Sequence, residues 1–174
     1  MGTIDEAIER LEQAVARRPG FGVGTARSVT TADAGLRCVT VDGDRAIATD
    51  LSPAFGGTAS APSPGELVRA ALGSCMAMSY RLRAAKHGIE ITSVSVTVET
   101  DHELAGMLSC DSAAPPGFTA VRYHVDIESP ASSDDVTAIL DEADELSPIL
   151  DVFVRANEVA RTVAINKTER VAAV

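Results

Sequence analysis

Ile4, Ile8, Leu11 and Val15 recur at helical spacing, so residues 3–17 are predicted to form an amphipathic helix, opened by the T-x-x-E capping box of Thr3 and Glu6 and stopped by Pro19-Gly20. From Gly22 to Asp50 the pattern changes to strand, with GTARSVTT, LRCVTV and RAIATDL separated by ADAG and by the hairpin pair Asp42-Gly43, a three-stranded meander. SPAFGGTASAPSP has no apolar period and reads as a loop. A central helix follows over SPGELVRAALGSCMAMSYRLRAAKHG, Ser63 to Gly88, with Ser63 as N-cap, Pro64 at its first position and Glu66 closing a capping box. Val94, Val96 and Val98, then Val121, Tyr123, Val125 and Ile127, alternate with polar residues and predict two half-buried strands joined by a polar connection. Val136, Ile139, Leu140 and Ala143 mark a helix over about 132–146, Ser147-Pro148 a break and restart, and a short helix through Phe153 and a last strand, EVARTVAIN, end the pattern. The order of elements predicts an α+β fold with mainly antiparallel sheet.

Composition narrows the function classes. A chain of 174 residues with 45% hydrophobic and 23% charged positions suits one soluble globular core. The net charge of -10 repels phosphate backbones and anionic lipid, so no nucleic-acid and no membrane partner is expected. The amino terminus has neither the apolar run of a signal peptide nor that of a membrane span, which makes cytoplasmic the simplest expectation. Cys38, Cys75 and Cys110 are odd in number and fit reduced thiols better than a disulfide framework. His87, His102 and His124 are scattered and no His or Cys pair has metal-ligand spacing, so neither a metal nor a cofactor is expected. No phosphate-binding glycine motif and no G-x-S-x-G elbow is present.

Cys75 lies midway along the central helix, and its neighbours at about 100° per residue are Ala71, Leu72, Met78, Ser79 and Leu82, a largely apolar face. Two readings stand side by side. A free cysteine serves as a small buried hydrophobe, or it is a reagent whose thiolate is stabilised by a cation or donors from outside its own helix, since Cys75 is too far along to use the dipole of the first turn.

Gly56-Gly57, P-x-E-L from Pro64, AALGSCMAM from Ala70 to Met78, A-x-K-x-G-I from Ala84 and the Val-rich strand after it resemble the OsmC-like family, that of osmotically inducible protein C and the organic hydroperoxide resistance proteins. The resemblance runs from about Gly24 to the last strand. It implies a division into an N-terminal helical extension, 1–20, and an OsmC-like domain, 21–174. It also implies antiparallel sheets wrapped around long central helices in an intertwined homodimer, with each site at the subunit interface. Cys75 takes the nucleophile position, attacking an organic hydroperoxide to give a sulfenic acid that an external thiol or dithiol reductant returns to the thiol. Leu72, Met76 and Met78 are the expected pocket residues.

The supporting set departs from the family pattern. Ser147-Pro148 stands where a resolving Cys-Pro is usual, and Cys110 is the one remaining thiol in a loop. The family's carboxylate follows the proline directly, where this chain has Gly65; Glu66, one place later, is the candidate, with its capping-box role as the alternative. The family's turn arginine is absent from TADAG, and Arg27 and Arg37 flank it, Arg37 nearer. These changes keep open a second reading, an OsmC-like protein without peroxidase turnover that binds a small apolar or thiol-reactive ligand.

Overall fold

The computed structural model describes residues 3–32, 34–110 and 113–165, and the backbone of 169–173. Glu6 Oε2 takes the backbone N–H of Thr3 at 3.0 Å, and the helix opened there, α1, runs Ile4–Arg17. Its capping box is as predicted; its burial is not. α1 leans on the central helix through half-buried Ala7, Ile8 and Ala14 and through Lys86 Nζ to Glu12 Oε1 at 2.7 Å, while Ile4, Leu11 and Val15 remain exposed.

The meander forms as β1 (Val29–Ala32), β2 (Cys38–Asp42) and β3 (Arg45–Thr49), antiparallel in that order. Asp42 pairs with Arg45 around Gly43, whose φ of +57° suits a tight hairpin turn. β1 starts later than its residue preferences suggest: 24–28 have no ladder partner among the described residues, and Asp33 of the predicted turn lies outside them. The meander contributes nothing to the buried core, and Val29, Val41 and Ile47 are exposed.

Between β3 and the central helix, the loop is organised by a carboxylate that its sequence does not advertise. Asp50 is buried and accepts the N–H groups of Leu51 (2.8 Å), Thr58 (3.1 Å) and Ser60 (3.1 Å), with the hydroxyls of Thr58 (2.6 Å) and Ser60 (2.9 Å). Its own N–H donates to the Pro62 carbonyl at 3.2 Å, which closes the loop at the helix start. The chain passes itself so closely that a Cβ on Gly57 would run into the Leu51 carbonyl, so only glycine fits there. A short 3-10 turn, Pro53–Phe55, lies within this loop.

The central helix, α2 (Pro64–Lys86), starts and stops where its caps predict, with Gly88 at φ +66° just beyond its end. Leu72, Met76, Tyr80 and Ala84, each four residues from the last, are its buried stripe. The stripe packs on β4 (Ser93–His102) and β5 (Phe118–Glu128), an antiparallel pair in which Val96 faces Val125 and Val98 faces Tyr123. Gly73 permits the approach, since a Cβ there would already touch Val98 Cγ2 at 3.4 Å. The connection between these strands holds a short helix, α3 (Leu104–Met107), that the sequence pattern does not reveal.

α4 (Ser133–Glu145) and α5 (Pro148–Val154) cover the rest of the stripe with Ile139, Leu140, Ala143, Ile149, Leu150 and Phe153. The chain ends in a hairpin, β6 (Arg161–Ile165) with β7 (Glu169–Ala173), rather than in a single strand; Asn166, placed in that strand by its pattern, lies outside the described residues.

Two outcomes follow from this packing. Leu72→Ala should lower the unfolding free energy by about 2–5 kcal/mol in urea titrations, because it opens a cavity in the stripe; a loss under about 1 kcal/mol would contradict the packing described. The second concerns pH. Hydrogen bonds, the Thr58 hydroxyl first, hold the Asp50 carboxyl well below the usual carboxylate range. Its folded-state pKa therefore lies below its unfolded one, so its stabilisation is complete above about pH 4 and fades as the solution is made more acid. Wild-type stability should fall more steeply than that of Asp50→Asn between about pH 5 and pH 2; parallel slopes would remove Asp50 from the acid response.

Candidate functional site

The rotation of α2 fixes where Cys75 points. It directly precedes buried Met76 and is half-buried, at the edge of the stripe. On its outer side Ala71 and Ser74 are exposed, as are Met78 (59%) and Leu82 (43%), so the thiol lies on the line between the core and an exposed apolar face. Of the three residues expected to line a pocket, Leu72 and Met76 are sealed in the core and only Met78 is open. The half-turn that buries one i, i+4 row exposes its neighbour, which explains the difference.

From the opposite direction comes Ser147, 1% exposed, with Oγ 3.5 Å from Cys75 Sγ. Ser147 is the N-cap of α5, as its place before Pro148 predicts, and its Oγ accepts the N–H of Leu150 at 3.3 Å. Its backbone N–H donates to the Asp144 carbonyl at 3.4 Å. Asp144 is fixed in turn, since the Tyr80 hydroxyl donates to Oδ1 (2.8 Å) and the Tyr123 hydroxyl to Oδ2 (2.6 Å), tying α4 to α2 and β5. Burial, reinforced by the bond to Asp144, raises Tyr80 above the usual phenol range and pushes Tyr123 up to about 12, so both phenols stay protonated donors near neutrality.

Glu66 stands apart from this pair. Its Oε2 accepts the Ser63 N–H at 2.8 Å and the Ser63 hydroxyl at 2.7 Å, and the Ser63 backbone, with its hydroxyl, holds the carboxyl below its ordinary range. It lies nine positions before Cys75, about half a turn away round the helix, and no hydrogen bond joins them. It lines a cavity of about 240 Å³ with Asp50, Leu51, Phe55 and Ala61. Arg27 and Arg37 are exposed and make no hydrogen bond or ion pair among the described residues. Arg69, which the sequence pattern did not single out, is half-buried on α2 and donates to Thr100 Oγ1 at 3.1 Å.

The other thiols lie elsewhere. Cys38 on β2 turns to the Leu36 carbonyl and exposed Cys110 to that of Leu108, and all three cysteines are free. Among the described residues no group of His, Cys, Asp or Glu is arranged to hold a metal ion, and no helix is long and apolar enough to cross a membrane. The structure thus brings Cys75 together with Ser147, and leaves Glu66, Arg27, Arg37 and Cys110 outside that contact. The Asp50 loop and the Tyr80–Asp144–Tyr123 link escaped sequence reasoning. The Thr and Ser of the Gly- and Pro-rich loop after an Asp were a usable signal for the first; the second joins residues far apart in sequence and had none.

The chain shares its fold with several solved structures. An OsmC-like protein from Mycoplasma pneumoniae superposes with a TM-score of 0.65 at 16% identity, over 75% of this chain and 88% of that one. An organic hydroperoxide resistance protein OsmC from Legionella pneumophila gives 0.57 at 22% identity, over 75% and 90%. One from Elizabethkingia anophelis gives 0.57 at 15%, over 74% and 87%. No curated protein matches. The OsmC-like protein family model matches residues 57–161, a span that holds α2, Cys75 and Ser147 and exceeds half the chain. The chain belongs to the OsmC-like family.

Proposed function

We propose that this OsmC-like protein is a thiol-dependent reductase of organic hydroperoxides, working as a homodimer with an OsmC-like domain that begins after α1, near residue 21. The observation that carries the reading is the placement of Cys75, half-buried on α2 beside an exposed apolar face and a hydroxyl. An apolar peroxide suits such a face. Two of the superposed relatives, from Legionella and Elizabethkingia, are organic hydroperoxide resistance proteins.

In the reaction, the Cys75 thiolate attacks the terminal oxygen of ROOH. The S–O bond forms as the O–O bond breaks, and the alkoxide takes a proton and leaves as ROH, so Cys75 becomes a sulfenic acid and the peroxide is reduced. Ser147 has no sulfur with which to form a disulfide. The sulfenic acid is therefore met by an external thiol, which gives a mixed disulfide and water, and a second thiol equivalent restores Cys75–SH and leaves as disulfide. A cation for the thiolate comes, in this reading, from a second subunit.

Glu66 is the second site residue, a carboxylate anchored at the start of α2 on the wall of a cavity. Because Gln also closes a capping box, Glu66→Gln separates the two roles. It should slow peroxide reduction while leaving the urea midpoint in place; an unchanged rate would assign Glu66 to the cap alone.

The direct test is equimolar tert-butyl hydroperoxide followed by a sulfenic-acid trap and peptide mass mapping. The expected result is one adduct on Cys75, lost in Cys75→Ser. Folded protein that gives no adduct would overturn the peroxidase reading in favour of a protein that binds a small apolar or thiol-reactive ligand on the same face.

A further inference from the structure

Ser147 is more than a helix cap. A serine hydroxyl has one hydrogen to donate and two lone pairs that accept. In Ser147 a lone pair is taken by the Leu150 N–H, and the residue is closed to solvent. The hydrogen then has one described acceptor, Cys75 Sγ at 3.5 Å. A neutral thiol and a hydroxyl can share their contact in either direction, but a thiolate can only accept, so ionisation of Cys75 commits the hydroxyl to donate.

We propose that the Ser147 hydroxyl is a positioning residue that stabilises the ionised sulfur of Cys75, supplying from α5 a donor that α2 cannot supply for itself. The inference rests on Cys75 being the reacting group of the proposed function.

Three features hold the hydroxyl in place. Its own backbone N–H is bonded to Asp144, Pro148 follows it directly at the start of α5, and Asp144 is clamped by Tyr80 and Tyr123. Several charged side chains on the packed elements are engaged elsewhere, and Asp141 and Glu145 of α4 are exposed. Asp151 is paired with Arg155, Glu142 with Arg83 and His87, and Arg69 donates to Thr100. A hydrogen bond to a charged group contributes more than one between neutral groups, enough to change the ionised fraction of a thiol about tenfold near neutrality.

The test uses no peroxide. The rate at which iodoacetamide alkylates Cys75 in the full chain, resolved by peptide mass mapping, is followed from about pH 6 to pH 10 in wild type, Ser147→Gly and Ser147→Thr. Glycine is nearly as good an N-cap as serine, within a few tenths of a kcal/mol, so α5 should persist without the hydroxyl. Ser147→Gly is expected to alkylate about tenfold more slowly at pH 7, to reach the wild-type rate at the alkaline plateau, and to have its midpoint about one pH unit higher. Ser147→Thr, which keeps the hydroxyl, should return the profile to that of wild type.

Profiles for wild type and Ser147→Gly that coincide would overturn the proposal. So would faster alkylation of the variant at pH 7, or an equal loss at every pH, which reports changed access rather than changed ionisation. Wild-type protein that yields no sulfenic acid, together with a shifted profile in Ser147→Gly, would overturn the peroxidase reading and leave the contact of Ser147 with the ionised sulfur standing.

Discussion

The constraint on which the rest depends is the row Leu72, Met76, Tyr80 and Ala84 laid against the β4–β5 pair. Burial of each large side chain in that row contributes about 1.5–3 kcal/mol, and the four-residue spacing puts all of it on one side of α2. Gly73 lets the helix come within contact of Val98, so the helix has little freedom to roll. Once that rotation is set, every other position on α2 is assigned. Cys75 falls on the border of the buried row, and Ala71, Ser74, Met78 and Leu82 face outward.

Polar links then place the partners. The Asp144 carboxylate gathers two tyrosine hydroxyls from two other elements, and the turn that follows it carries Ser147 to the sulfur. At the other end of α2, Asp50 satisfies the donors of a loop too rich in Gly, Pro and Ser to fold by apolar burial. These two carboxylates do for the loop and the α4–α5 corner what the apolar row does for the helix. They turn segments with weak preferences into fixed ones.

The sequence was legible where structure is local. The caps at Thr3, Ser63 and Ser147, the hairpin at Asp42-Gly43 and the alternating valines of β4 all repeat over a few residues, so they can be read in order. The family was legible through the motif around Cys75, and the structure adds that Ser147 Oγ lies 3.5 Å from its sulfur. What was hidden is long-range or cooperative. The contact of Cys75 with Ser147 across an offset of 72 in sequence, the five donors converging on Asp50, and the burial of Leu72 and Met76 in place of a pocket follow from packing that no short window contains. α3 and the β6–β7 hairpin escaped because α3 is a single helical turn and β7 has little alternation of its own.

A single chain leaves apolar surface uncovered on α1, on the meander and on the outer side of α2, where Leu11, Val41, Ile47, Met78 and Leu82 are exposed. Its part on α2, Met78 and Leu82, borders the thiol, and in the proposed function a second copy of the chain covers it and completes the surroundings of Cys75. Sedimentation equilibrium of the full chain at micromolar concentration tests this most directly. The account predicts one species of twice the chain's mass; a species of single-chain mass across the whole concentration range would contradict it.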